Sequence, residues 1–424
     1  MRKYTSDWAD KLSSPKVRLV QHWSLNLVAI LLASIWLILI WQTLTPDIDD
    51  FKQYWQAAVD LRQTGDPYAS TPAWNDTTTS HHRLRSTITY PYPPLLAYLL
   101  QPFGRLSQQQ GQFLWFGVNV ILLFILIGAC IHASNFVQVR HYWGVLVLGM
   151  VIAPPTRLSL QLGQVSIMLA LLVVTGFIST RRSTFFAGLM LCLASMIKLY
   201  PAFLGIYYFL RRPHSVLWWS TATGIIILAL SLVVYGVEPY ISYVRKVLLS
   251  GFYPYAAEFN ISLIGFWDRL LSESRYAQSL IDSSIIARII AMLMIVGVLS
   301  ICIQVGSRPK NSHSEPLSFS VWICGMMLIS PINGYYNLIL LLLPLLTVLH
   351  YLKQHPDRQT RNWLIVGTAL CCIPPGWSNI HPVMYNTVHV GWGLLLLTPS
   401  LYGLGIYFGL LTVLARRHIK PKML

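Results

Sequence analysis

Three carboxylates, Asp47, Asp49 and Asp50, fall just past the end of a long apolar run, Leu25–Trp41. A carboxylate at the edge of a bilayer is costly unless water, a cation or a substrate satisfies it. A carboxylate so placed can take a proton from a bound hydroxyl, so one of the three is read as a general base facing out of the membrane. They open the stretch Thr45–Tyr68, an amphipathic segment closed by the turn signal Gly65-Asp66-Pro67-Tyr68. Capping the helix that follows is the alternative role for all three, and the preferred one for Asp47 and Asp49.

The elements that must position these groups are membrane helices. The chain of 424 residues is 54% hydrophobic and 11% charged, against about 25% charged in a soluble domain. It is therefore read as an all-α integral membrane protein with room for about twelve crossings of about 20 residues each. The net charge of +16 sits in short clusters between apolar runs. That is the pattern of loops beside spans, with no continuous basic face for nucleic acid. Cys130, Cys192, Cys302, Cys324, Cys371 and Cys372 lie inside apolar runs and lack metal or disulfide spacing, so they are read as small buried hydrophobes. His81, His82, His381 and His389 also lack ligand spacing, and neither a metal nor a cofactor is expected.

Arg2, Lys3, Lys11, Lys16 and Arg18 precede the first span and assign the N-terminus to the cytoplasm. That span is expected to be retained rather than cleaved. The region 43–110 is then the first outer loop. Within it, Tyr90-Pro91-Tyr92-Pro93-Pro94 begins an apolar stretch ending near Leu106, too short to cross and expected to lie along the interface. Spans are expected near 112–133, 143–153 and 165–179, with Pro154-Pro155-Thr156-Arg157 as a connecting loop. Thr184–Leu210, held between Arg181-Arg182 and Arg211-Arg212, is interrupted by Lys198 and Pro201. It is read as two short helices meeting at Ile197–Pro201, a break tolerated beside a cavity or within protein. Further spans are expected near 215–236, 285–305, 319–331, 336–352, 363–379 and 391–414, with a second outer loop at 237–284. Arg416, Arg417, Lys420 and Lys422 put the C-terminus inside as well. The whole chain, 1–424, is read as one transmembrane domain without internal repeat.

This topology sorts the charges. Asp47, Asp49, Asp50, Asp60, Asp66 and Asp76 fall in the first outer loop, and Glu238, Glu258, Asp268, Glu273 and Asp282 in the second. No acid lies between Asp76 and Glu238, whereas a proton-coupled pump usually carries carboxylates within its spans. Arg157, Lys198, Arg245, Lys246, Arg269 and Arg288 are predicted outside, against the positive-inside bias. Cations kept there suggest an anionic ligand at the outer rim.

The motifs, in chain order, resemble glycosyltransferase family 87, membrane enzymes of the GT-C class that use polyprenyl-phosphate sugars. They are Asp50-Phe51 with Tyr54-Trp55 and Ala57-Ala58, Gly65-Asp66-Pro67-Tyr68 and Tyr92-Pro93-Pro94-Leu95. Next come Leu162-Gly163-Gln164-Val165-Ser166, Ala187-Gly188 and Ile197-Lys198-Leu199-Tyr200-Pro201. Asn260-Ile261-Ser262-Leu263 and Ser330-Pro331 complete the set. The resemblance implies a GT-C-like helical bundle, an outer-loop aspartate as base, a lipid-linked sugar donor, often mannose, and inversion at the anomeric carbon. The Asp-Phe match assigns the base to Asp50. Many members carry His or Asp shortly after the Ser-Pro, where this chain reads Asn333-Gly334-Tyr335-Tyr336-Asn337; this departure leaves sugar and acceptor open.

The chemistry asks for one carboxylate and a cation. A polyprenyl phosphate leaves as a stable anion and needs positive charge nearby rather than a donated proton. An attacking alcohol needs a base. Single displacement would then use Asp50 as base, with Lys198 holding the donor phosphate and Arg157 or Arg269 assisting. Snorkelling to the interface is the alternative role for Lys198, and pairing with a nearby acid for Arg269. Tyr54, Tyr92, Gln164, Asn260, Tyr336 and Asn337 are the candidate pocket residues, against ordinary interface, capping and packing roles. The acceptor is a lipid or glycan at the plasma membrane's outer face, and the oligomeric state is open. The main rival is a twelve-span transporter of a small solute or lipid-linked glycan, a class marked by repeated halves and midplane sites.

Overall fold

The computed structural model describes residues 15–44, 49–71, 90–211, 214–249, 256–274, 276–307 and 314–417, excluding the side chains of 15–21, 49 and 386. Asp47, Asp76, His81 and His82 lie outside these residues, as does the side chain of Asp49. Among the described residues the fold is all helical. The first helices are α1 (Pro15–Gln42), α2 (Asp49–Thr64), α3 (Pro94–Leu100) and α4 (Gln108–Ala133). They are followed by α5 (Trp143–Ile152), α6 (Pro154–Gln161), α7 (Ser166–Ser179), α8 (Thr184–Ile197) and α9 (Leu204–Arg211). Then come α10 (His214–Tyr235), α11 (Glu238–Tyr243), α12 (Leu263–Leu271), α13 (Ser284–Gly306) and α14 (Glu315–Ile329). The chain closes with α15 (Leu342–Gln354), α16 (Arg358–Cys371), α17 (Pro382–Val388) and α18 (Pro399–Arg417).

Local chemistry sets the ends of these helices. Ser107 and Gln110 form a reciprocal capping box at the start of α4, and the side chain of Ser183 accepts from the Phe186 amide to start α8. Proline at the first turn of α3, α6 and α14 removes a donor that would have no partner there. Five helical segments among the described residues are long and apolar enough to cross a bilayer: His22–Gln42, Gln108–Ala133, His214–Tyr235, Ser284–Gly306 and Tyr335–Gln354. Val137–Ile152 with Pro154–Gln161, bent by 64°, makes a sixth if the pair is one span. Leu27, Val233 and Leu293 are 65%, 85% and 67% exposed on such helices, which only lipid makes tolerable. The molecule is an all-α, multi-pass membrane protein. The expected count of about twelve crossings is not reached by helices of spanning length; α7, α8 and α14 have 14, 14 and 15 residues.

Two expectations about helix limits are corrected. Pro154-Pro155-Thr156-Arg157 is the first turn of α6 rather than a loop, because the prolines sit where no N–H is required. The pair expected at 363–379 and 391–414 is instead Arg358–Cys371 and Pro399–Arg417. Pro374-Pro375 and Pro399 interrupt the apolar pattern, and the intervening residues fold into short turns and α17. The break at Lys198 is present: α8 ends at Ile197, and a single 3₁₀ turn, Tyr200–Phe203, leads into α9.

One buried apolar cluster runs from Ala33 on α1 to Ala415 on α18, with Phe51, Tyr54, Tyr92, Trp115, Trp322 and Tyr335 among its large members. Without a hydrophobic drive in lipid, close backbone approach does much of the holding. A Cβ on Gly188 would lie 2.6 Å from the Val216 carbonyl oxygen, which is how α8 seats against α10.

Candidate active site

The pocket is assembled at helix ends. Asp50 and Phe51 open α2, and the Phe51 amide donates to the Leu162 carbonyl at 3.1 Å. This contact depends on Gly163, whose φ of +64 suits glycine and whose Cβ, if present, would lie 2.8 Å from the Phe51 Cβ. The Trp115 indole donates to the Gly163 carbonyl at 2.7 Å and fixes the other side of the turn. The Asp50-Phe51 and Leu162-Gly163-Gln164 motifs are thus two halves of one backbone joint. That joint brings the start of α2 against the turn that carries Gln164.

Lys198 arrives from another direction. Its amide still bonds the Ala194 carbonyl at 3.0 Å, but its backbone has already turned extended, with φ −138 and ψ 139. The ammonium lies 5.3 Å from the centroid of the Tyr92 ring and 5.2 Å from that of Tyr336, a double cation–π cradle. Burial pulls the Lys198 pKa down to about 8, and the negative charge of Asp50 opposes that fall. Asp50 and Lys198 therefore sense each other electrostatically at one site.

Gln164 joins the two sides. Its Oε1 accepts from the Tyr54 hydroxyl at 3.2 Å and, longer, from the Tyr92 hydroxyl at 3.5 Å. The Tyr54 hydroxyl also lies 3.0 Å from the Tyr92 hydroxyl, an alternative acceptor for its one proton, and the rings meet edge to face. Burial first, then neighbouring negative charge including Asp50, raises the pKa of both phenols. Tyr54 and Tyr92 are thus neutral hydrogen-bonding groups at ordinary pH and not bases. The Tyr336 ring folds back over Gly334, where any Cβ would strike it.

Behind this wall stands a ladder of amides. Ser166 donates to Asn337 Oδ1 at 2.7 Å, and Asn337 Nδ2 donates to Asn333 Oδ1 at 3.0 Å. The amides of Asn333 and Ser262 donate to Asn260 Oδ1, whose own Nδ2 donates to the Pro331 carbonyl. Asn260 and Asn337 thus tie residues 260–262 to 331–337 and to the start of α7; they position the wall that carries Tyr336.

The structure brings Asp50, Lys198, Tyr54, Tyr92, Gln164 and Tyr336 together. The two expected arginines make the following contacts. Arg269 is 1% exposed, and its Nη1 donates to the carbonyls of Ala257 and Asn260 at 2.7 and 2.9 Å, its Nη2 to Thr398 Oγ1 at 3.1 Å. These bonds knit the second connecting region to the start of α18. Arg157 is exposed, with its guanidinium 5.7 Å from the Trp36 ring on α1. Lys246 likewise bonds the Tyr68 carbonyl at 2.6 Å and lies 4.0 Å from Asp66, whose carboxylate also accepts from Ser242. The Gly65-Asp66-Pro67-Tyr68 motif is therefore a clamp for α11 and the residues after it, and Tyr68 extends it by donating to the Tyr92 carbonyl.

Residues missed in the sequence are the pegs Ser166 and Asn333, and the partly buried Tyr200, which lies near enough to Tyr92 to feel a charge on it. Ser166 and Tyr200 sat inside named motifs; their small offsets from Gln164 and Lys198 were the available signal. Among the described residues no three His, Cys, Asp or Glu side chains form a group able to hold a metal. His381 caps α17 through Nδ1, and His389 faces Glu258 at 3.6 Å.

Fold and site define a multi-pass membrane protein with a carboxylate and an ammonium gathered among tyrosines at the ends of its helices. The chain belongs to glycosyltransferase family 87, whose sequence profile matches residues 90–331, more than half of its length. The match takes in Tyr92, Gln164, Lys198 and Asn260 and leaves Asp50, Tyr54, Tyr336 and Asn337 on its flanks. The chain is also similar to a polyprenol-phosphate-mannose-dependent alpha-(1-2)-phosphatidylinositol mannoside mannosyltransferase of Mycolicibacterium smegmatis. Identity is 25% over 193 residues, 42% of this chain and 42% of that relative, so the similarity spans less than half of either.

Proposed function

We propose that this glycosyltransferase moves a hexose, mannose by analogy with its relative, from a polyprenyl-phosphate donor to a lipid or glycan acceptor at the outer face of the plasma membrane. Both termini then lie in the cytoplasm, the shorter helices complete about twelve crossings, and the chain works as one GT-C-like domain. The observation that carries the reading is the meeting of Asp50 and Lys198 in one tyrosine-lined site, each within electrostatic reach of the other.

In the proposed step Asp50 takes the acceptor's hydroxyl proton as that oxygen attacks the anomeric carbon. The bond from that carbon to the phosphate oxygen breaks, and its electron pair leaves with the polyprenyl phosphate. Lys198 offsets the charge that develops on the leaving oxygen. Attack opposite the departing phosphate inverts the anomeric centre. Tyr54, Tyr92 and Gln164, already linked to one another, offer hydroxyl and amide groups to the sugar, and the faces of Tyr92 and Tyr336 keep the ammonium in place. No metal is needed for this step. A transporter reading gains nothing from Asp50 sitting at a helix start rather than within a span.

The test is transfer from labelled polyprenyl-phosphate mannose, then glucose and arabinose analogues, into a lipid extract by purified protein. Asp50→Asn should abolish transfer while the variant still binds donor and melts like the parent. Full transfer by that variant would remove Asp50 from the chemistry. Absence of transfer from every donor, with solute uptake into vesicles instead, would favour transport.

A further inference from the structure

We propose that the cleft between α16 and α18 is a binding site for an anionic, two-chain phospholipid. It lies outside the residues that match the family and shares no residue with the pocket around Asp50. The two helices are pressed together at one level, where a Cβ on Gly403 would lie 2.6 Å from Cys371 Sγ and 2.7 Å from the Gly367 carbonyl. Toward Arg417 a groove runs along the seam, where a Cβ on Gly409 would meet nothing within 4 Å.

Two hollows border the half-exposed Trp363, one on the outer face of α16 and one between α16 and α18. The first, of about 610 Å³, is a shallow, open hollow on α16 alone, running from Arg358 and Gln359 along Asn362 and Trp363 to Val366. The other, of about 300 Å³, runs from Arg417 down Val413, Leu410 and Gly409 to Ile406. At 1.5 Å per residue the second hollow is about 16 Å deep, a large part of one leaflet's hydrocarbon. Its mouth is basic and its floor apolar, which is the profile of a phospholipid.

The charge at the mouth favours an anionic headgroup. Arg358 and Arg417 line it and Arg361 lies one turn further along α16. The one acid lining it, Asp357, caps α16 through the amides of Gln359 and Thr360 and lies 3.7 Å from Arg417. Two hollows bordering one indole fit two acyl chains. Ile365, Val366 and Val413, 59%, 44% and 45% exposed beside the cleft, belong to a surface that faces lipid already. A free phosphate would use the mouth alone and leave both hollows without a role.

The test is native mass spectrometry of the full chain in detergent, titrated with phosphatidylglycerol or phosphatidylcholine. Phosphatidylglycerol should bind more tightly, and Arg417→Gln or Arg358→Gln should each weaken it about fivefold. Gly409→Leu should weaken both lipids by filling one hollow; leucine is also the better helix former, so folding is not threatened. Gly297→Leu on α13, equally open in space, is the control and should change nothing. Equal affinity for the two lipids, unchanged binding by Gly409→Leu, or displacement of the lipid by millimolar glycerol phosphate would each overturn the proposal.

Discussion

If Lys198 holds the donor phosphate, transfer should fail in alkali for a reason that can be separated from unfolding. Burial lowers the Lys198 pKa from 10.5 to about 8. In the free protein the side chain is then about 90% charged at pH 7 and about 10% charged at pH 9. The value of kcat/KM for the donor should fall about ninefold over that interval. Most of the fall should appear in KM, because a bound phosphate restores the proton affinity that burial removed. Stability moves the opposite way. The unfolded lysine holds its proton up to about pH 10.4, so between pH 8 and that value the unfolded state binds more protons and this group makes folding more favourable as pH rises. An alkaline loss of activity without a lower melting temperature is thus the signature. Lys198→Arg keeps its charge throughout and should flatten the profile, at whatever rate its longer fork permits. Lys198→Met removes an interaction of about 4 kcal/mol for charges 4 Å apart at an effective dielectric of 20, on the order of 10³-fold in kcat/KM. The assay is the initial rate with labelled donor in nanodiscs from pH 6 to 10. A wild-type profile flat to pH 10, or the same fall in the arginine variant, would refute the phosphate role.

Two further substitutions separate the joint from the frame. Gly163→Ala should lower kcat about tenfold or more with donor KM little changed, because left-handed backbone costs alanine about 1–2 kcal/mol and its methyl presses on Phe51; unchanged kcat would mean that the joint does not position Asp50. Arg269→Gln strands the carbonyls of Ala257 and Asn260 and should cost about 2–4 kcal/mol of stability, read as a lower melting temperature with the pH profile of the surviving protein intact. A stable variant with a selectively raised donor KM would return Arg269 to the donor.

The limits of α4, α10 and α13 were legible because each is an apolar run closed by polar residues at the right length. The break at Lys198 was legible for the same reason, as a cation and a proline inside a run otherwise fit to be helix. Pro154-Pro155 was misread because a proline pair marks both a loop and the first turn of a helix, and only the following residues' packing decides. The excess of cations near the acids was read as a sign of an anionic ligand. Pairing accounts for part of it: Lys246 with Asp66, and Arg269 with backbone carbonyls. A sequence records the charge but not which carbonyl lies within reach, so spent and available cations look alike until the chain is folded.

What distinguishes Lys198 from those cations is the chemistry of its neighbours. The tyrosine rings on either side attract the ammonium without neutralising it or occupying its three donors in the way a carbonyl or carboxylate does. Asp50 lies near enough to be felt, yet it enters from α2, fixed by the Phe51 joint, whereas Lys198 enters from the end of α8. Two charges of opposite sign are thus held by separate elements, whereas Asp357 closes on the backbone of its own helix through the amides of Gln359 and Thr360. The motifs that carry the site's charged and amide groups fall at helix ends, where the backbone leaves its helix to present a side chain, and Gly163, the extended Lys198 and the ring of Tyr336 over Gly334 are three solutions to that one steric demand.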